Sequence, residues 1–120
     1  MGRVLPEGDL SLLGDASDEA SQRSSVKLIH PRAFFASPRR YDLIVNVDSL
    51  TEFDSGLATD YARKICSVAD RFLSINHELN PVSVRSLVKP MPAFVELSRV
   101  PCWVRRGYVE ELFDVIQPGA

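Results

Sequence analysis

The sequence predicts an α/β fold, and three observations carry that prediction. Tyr41-Asp42-Leu43-Ile44-Val45-Asn46-Val47 is a short, nearly continuous apolar run with β-branched residues, the pattern of a strand covered on both faces. Leu57, Tyr61, Ile65 and Val68 then recur at steps of four, four and three, which places one apolar stripe on a helix over residues 56–69. Arg71-Phe72-Leu73-Ser74-Ile75-Asn76 is a second β-rich run. A strand, helix and strand joined at this spacing imply parallel strands with a right-handed crossover.

The remaining elements follow in chain order. Val4 and Leu5 end a short strand stopped by Pro6, and Leu10–Leu13 reads as the first turns of a helix. Residues 15–25 are small, polar and charged and read as a flexible loop. Val26 to His30 is β-rich and stops at Pro31, a short strand. Residues 33–40 read as a loop anchored by Phe34 and Phe35. Asp54 or Ser55 supplies the N-cap of the central helix. Past Pro81 a helix is expected over residues 82–88, closed by Lys89-Pro90, and a strand over residues 93–97, ended by Pro101. Residues 109–116 fit two readings: Val109, Leu112, Phe113 and Ile116 make a helical face, and a strand pairing back on residues 94–99 is the alternative. Two regions result, an N-terminal segment 1–40 that is partly flexible and a region 41–120 that holds the main α/β unit.

Composition narrows the function classes. The chain has 120 residues, enough for one small domain. Its net charge of −2 provides no global basic field for nucleic acid or an acidic membrane surface. The doublets Arg39-Arg40 and Arg105-Arg106 read as solvated edges. Cys66 and Cys102 lie far apart, and His30 and His77 are the two histidines, so the spacing of a metal site is absent. There is no secretory leader pattern and no apolar run of membrane-spanning length. A soluble, cytoplasmic chain is expected.

The functional pointer is positional. The two central strands both end in polar residues, Asn46, Asp48 and Ser49 on the first and Asn76, His77 and Glu78 on the second. In open α/β sheets ligands bind outside the carboxyl ends of the strands. Asp48 also suits a plain turn, Glu52 a solvated side chain, and His77 a hydrogen-bonded structural role.

Three segments bring a family into view: Asn46-Val47-Asp48-Ser49-Leu50-Thr51-Glu52, Phe72-Leu73-Ser74-Ile75-Asn76-His77-Glu78, and Pro101-Cys102-Trp103-Val104-Arg105-Arg106-Gly107-Tyr108-Val109-Glu110-Glu111. Together they make the chain resemble the sugar O-methyltransferases of polysaccharide gene clusters, within the class I S-adenosylmethionine-dependent methyltransferases. The resemblance implies a Rossmann-like, seven-stranded sheet that binds S-adenosylmethionine and transfers its methyl group to a sugar hydroxyl. It assigns Glu7 (in Leu5-Pro6-Glu7), Asn46, Asp48 and Ser49 to the cofactor. Glu52 and His77 become the catalytic pair, and Asn76, Glu78, Trp103, Arg105 and Tyr108 bind the substrate. Histidine is the side-chain type that exchanges protons near neutral pH.

One departure is large. The family holds its cofactor with a glycine-rich turn after the first strand, and no two of Gly2, Gly8, Gly14, Gly56, Gly107 and Gly119 form a G-x-G. The expected architecture is therefore a truncated methyltransferase sheet lacking the first strand and the glycine-rich loop. Residues 1–40 would be the remnant of the second and third strand region, and residues 41–120 the C-terminal half. Such a chain would be inactive alone, with a sugar or polysaccharide precursor as acceptor and a second chain supplying the missing half. The alternative is a non-catalytic α/β interaction module.

Overall fold

The computed structural model describes residues 10–13 and 26–117. The chain divides into two compact units, Met1–Pro38 and Arg39–Ala120. In the first, strand β1 (Leu10–Leu13) pairs in parallel with β2 (Val26–Ile29), Leu10 opposite Val26. The helical turns expected at Leu10–Leu13 are therefore a strand: four residues with three leucines have no periodicity that separates the two states. Of residues 33–40, expected as a loop, the first four belong to a helix, α1 (Pro31–Ala36), and residues 37–40 are irregular. His30 caps it, Nδ1 accepting from the Arg32 amide at 3.0 Å, and Pro31 supplies a preset φ where no amide is needed. The readings made for residues 4–7 and 15–25 lie outside the described residues.

The second unit is built on a four-stranded sheet in the order β3-β4-β6-β5. Strand β3 (Tyr41–Val47) runs parallel to β4 (Ala69–His77), Ile44 opposite Phe72 and Asn46 opposite Ser74. Between them a 3₁₀ turn (Leu50–Glu52) leads into helix α2 (Ser55–Val68). Asp54 is its N-cap, accepting from the Leu57 amide at 2.9 Å. After a short helix α3 (Val84–Val88), β5 (Phe94–Pro101) and β6 (Tyr108–Val115) complete the sheet antiparallel to their neighbours. The ambiguous tail is thus a strand. Val109, Glu111, Phe113 and Val115 alternate inward, a period of two that the helical reading had to break. Pro101 is the last residue of β5 and ends it as expected, tolerated there because β5 is an edge strand.

Helix α2 packs by a face that overlaps the expected stripe: Ile65 and Val68 are buried and Tyr61 packs half-buried against the core. Ala58 and Ala62 join them in the contact, while Leu57 is 38% exposed. Small side chains bring the helix close to the sheet, which is the physical reason alanines win the contact. Phe53 and Tyr61 stack on each other at 5.4 Å beside that contact. The core beneath is aromatic: Phe72 stands 6.0 Å from both Phe94 and Phe113.

The expectation that β3 is covered on both faces fails. Leu43, Val45 and Val47 are 49%, 50% and 52% exposed, and β3 is an edge of its sheet. Among the described strands β3 thus presents a half-exposed apolar edge. No helix among the described residues is long and apolar enough to cross a membrane.

Candidate functional site

The site lies where β3 and β4 end and β6 begins. The chain leaves β3 through Asp48, whose φ of 56° is left-handed, a region that Asp and Asn tolerate better than other side chains. Its amide still donates to the Ile75 carbonyl at 2.9 Å. The turn throws the carboxylate towards β6, where Oδ1 accepts from the Tyr108 hydroxyl at 2.6 Å and Oδ2 from Arg105 at 3.0 Å. Arg105 also donates to the Tyr108 hydroxyl at 3.0 Å, and its guanidinium lies 4.0 Å from the Tyr108 ring centroid. The three side chains form a closed triangle.

The electrostatics follow. The Tyr108 hydroxyl, then Arg105, hold the Asp48 carboxyl below its ordinary value. The bond to Asp48, followed by burial, pushes the Tyr108 phenol up, and the charge of Glu52 adds to the rise. Because Asp48 is ionised to lower pH in the folded chain than in the unfolded one, its stabilisation is present above the ordinary carboxylate range and is lost as pH falls through the folded value. Asp48→Asn is accordingly expected to lower the urea midpoint most at about pH 7, the gap closing below about pH 4. A gap unchanged down to about pH 2 would show that the carboxylate's charge is not what matters.

Beside the triangle a second network is made of amides and hydroxyls. Asn46 Nδ2 donates to Ser49 Oγ at 2.8 Å, and its Oδ1 accepts from the Leu50 amide at 3.2 Å. Asn76, 4% exposed, donates to Asn46 Oδ1 at 2.9 Å and to Ser74 Oγ at 2.8 Å, and accepts from the Ser49 amide at 3.2 Å. These bonds hold the ends of β3 and β4 together and shape the turn. Asn80 donates to Thr51 at 2.9 Å and ties down the 3₁₀ turn.

His77 ends β4 with its ring edge-on to Tyr108, centroids 5.1 Å apart. Its Nδ1 accepts from the Leu79 amide at 3.1 Å. Glu78 pairs with Arg99, away from the Asp48 triangle, and its amide donates to the Gly107 carbonyl at 2.9 Å. Trp103 stands in the turn between β5 and β6, 92% exposed. The structure therefore gathers Asp48, Arg105 and Tyr108 into one cluster with His77 against it. It joins Asn46, Ser49 and Asn76 in the bracing network, and leaves Trp103 at the rim. Glu7 lies outside the described residues.

Sequence reasoning missed Gly107. Its φ is +86°, and a Cβ there would sit 2.8 Å from His77 Nε2. The signal was a lone glycine between Arg106 and the first residue of β6, where a strand connection calls for a left-handed residue. His30, for which the sequence suggested no partner, is the cap of α1. Arg40, assigned to a solvated edge, pairs with Asp70 at 2.7 Å with both side chains about half exposed.

No family model matches the sequence, and no curated protein matches it. Solved structures do. A proposed methyltransferase from Pseudomonas syringae superposes with a TM-score of 0.57 at 15% identity, over 88% of this chain and 70% of that one. Magnesium protoporphyrin IX methyltransferase from Synechocystis, with S-adenosylmethionine bound, gives 0.53 at 12% identity, over 90% of this chain and 69% of that one. A proposed RNA methyltransferase from Pyrococcus horikoshii gives 0.53 at 12% identity, over 76% of this chain and 52% of that one. The chain has the α/β fold of methyltransferases, with a mixed sheet, and spans 52–70% of these neighbours' lengths.

Proposed function

We propose that the chain is part of an S-adenosylmethionine-dependent O-methyltransferase acting on a sugar hydroxyl, a polysaccharide precursor in the cytoplasm, and that it works with a second chain carrying the glycine-rich half. The observation that supports this most directly is the Asp48–Arg105–Tyr108 cluster at the carboxyl ends of β3 and β4, on a methyltransferase fold. That is the edge where open α/β sheets place their ligands.

The cofactor fits this edge on one side. Of the residues assigned to it, Asn46 and Ser49 are bonded to each other and Asp48 to Tyr108 and Arg105. They offer remaining lone pairs and a shaped rim rather than a complete cradle, and the backbone contact of a G-x-G has to come from elsewhere. When bound, S-adenosylmethionine supplies a methyl group activated by its sulfonium. This chain's residues orient the acceptor: His77 and Glu52 handle the hydroxyl and its proton, and Trp103 offers an exposed face to the sugar ring.

Calorimetric titration of the purified chain with S-adenosylmethionine tests the reading, and weak, saturable binding is expected. Absence of binding by a folded chain would favour the second reading, a non-catalytic α/β interaction module. The half-exposed Leu43, Val45 and Val47 on edge strand β3 support that alternative.

A further inference from the structure

The two faces of the four-stranded sheet differ, and the strand registers say how. Side chains alternate across a sheet, and residues opposite each other on neighbouring strands share a face. The paired residues therefore fall into rows. On the inner face Ile44, Phe72 and Phe113 make one row, within the core formed with α2 and α3. On the outer face the first row is Leu43, Arg71, Asp114 and Val95. The second is Val45, Leu73, Leu112 and Ser98, and the third is Val47, Ile75, Glu110 and Val100. The bulge after Glu96 keeps Val95 and Val100 on this one face. Eight of these twelve residues are apolar, and Leu43, Val45, Val47, Val95 and Val100 are 40–52% exposed. The helices of this unit serve the other face, with Ala58, Ala62 and Ile65 of α2 and Val84, Leu87 and Val88 of α3 all in the inner cluster. An exposed apolar face of this extent marks an interaction surface.

The rows also say what fits that surface, because the face is its own complement. Consider a second copy related by a two-fold axis parallel to the strands, running between β4 and β6. Strand β4 then lies over the second copy's β6, and β3 over its β5. Leu73 covers Leu112 of the second copy, Leu43 its Val95 and Val47 its Val100, while Arg71 faces its Asp114; symmetry repeats each contact. Within one chain Arg71 Nε already donates to Asp114 at 3.1 Å, both side chains about half exposed, and the terminal guanidinium nitrogens suit a second carboxylate. Glu110 over Ile75 is the one charged mismatch, and it falls in the outermost row. A two-fold axis across the strands would instead set Asp114 against Glu110 and Arg71 against Ile75, which charge opposes. Aligned sheets pack about 30° apart, so the match holds best beside the axis, where Arg71, Leu73, Leu112 and Asp114 stand. Four strands about 4.8 Å apart and three rows about 6.8 Å apart make a face of roughly 400 Å² in plan. That is the low end for specific interfaces, where association is weak and reversible.

From this self-complementarity we infer that the outer face of the sheet is the interface of a reversible two-fold dimer of this chain, centred on Leu73 and Leu112 and set in register by reciprocal Arg71–Asp114 pairs. No cofactor or acceptor enters it, so it stands apart from the methyltransferase reading. Sedimentation equilibrium of the full chain tests it. The wild type should rise from the monomer mass towards twice that mass between about 10 µM and 1 mM. Arg71→Asp alone sets two acidic pairs across the axis and Asp114→Arg alone two basic ones, and each should self-associate at least about tenfold more weakly. An equimolar mixture of the two variants restores both opposite-charge contacts and should associate within about threefold of the wild type. Loss of one exposed ion pair should leave the fold intact, as circular dichroism would show. Val45→Lys, on the half-exposed edge strand, keeps the ion pair and should also weaken association. A wild-type chain that stays monomeric throughout the range overturns the inference. So does a mixture that stays monomeric, or association that the single variants retain undiminished.

Discussion

Phe72→Ala is expected to destabilise the chain by about 3–5 kcal/mol, the range for removing a fully buried aromatic ring. Phe72 is 1% exposed and stands between Phe94 of β5 and Phe113 of β6, while Ala58, Ala62 and Ile65 of α2 belong to the same core cluster. Two strands and the helix meet at this ring, so its neighbours cannot collapse into the space without breaking the sheet register. Domains of ordinary stability have about 5–15 kcal/mol in total, and the variant should lie near the edge of folding. Urea titration followed by circular dichroism reads the effect. Phe72→Leu keeps most of the volume and should cost less than half as much. A loss below about 1 kcal/mol for the alanine variant would mean that this cluster is not the centre of the core.

Gly107→Ala should have the second largest effect, and it tests the site together with the fold. The φ of +86° costs an alanine about 1–3 kcal/mol in backbone strain. The added Cβ also meets His77 Nε2 at 2.8 Å, so the ring must swing and release the Leu79 amide, a loss of about 1 kcal/mol more. The two contributions separate in a double-mutant cycle. In a His77→Ala background the steric part disappears, so Gly107→Ala should cost less there than in the wild type, with a coupling of about 0.5–1 kcal/mol. Strict additivity of the two variants would mean that Gly107 and His77 do not share this space. Gly107→Asn tolerates the backbone better yet keeps the steric conflict, and should fall between glycine and alanine.

The strand–helix–strand passage was legible because its signals are local: apolar run, stripe and apolar run, each with a polar stop. The polar ends of the two strands were legible for the same reason, since residue order alone places Asp48 and His77 there. The three-residue cluster was legible only in part. Arg105 and Tyr108 were singled out for substrate and Asp48 for cofactor, but their mutual bonds span 57 and 60 positions, and no local pattern records such a pairing. Cys66 sits half-buried against the core, where burial pushes its thiol up.

Other outcomes turned on competition between neighbours. Helix α2 carries alanines beside its stripe of large residues, and Ala58 and Ala62 take the centre of the contact with Ile65 and Val68, while Tyr61 packs at its margin and Leu57 stays half-exposed. Close approach of small side chains gives the denser contact. Residues 109–116 satisfied both a helical and a strand pattern, and pairing with β4 and β5 decided for the strand. The sequence by itself determined the α/β class, the order of the central elements and the polar ends of two strands, because these depend on periodicity and on residues close in the chain. Only the tertiary structure decided that β3 is a half-exposed edge, that Asp48 turns left-handed to meet Arg105 and Tyr108, and that Gly107 clears the face of His77. Those facts depend on which distant segments share the same space, and that is set by packing rather than by pattern.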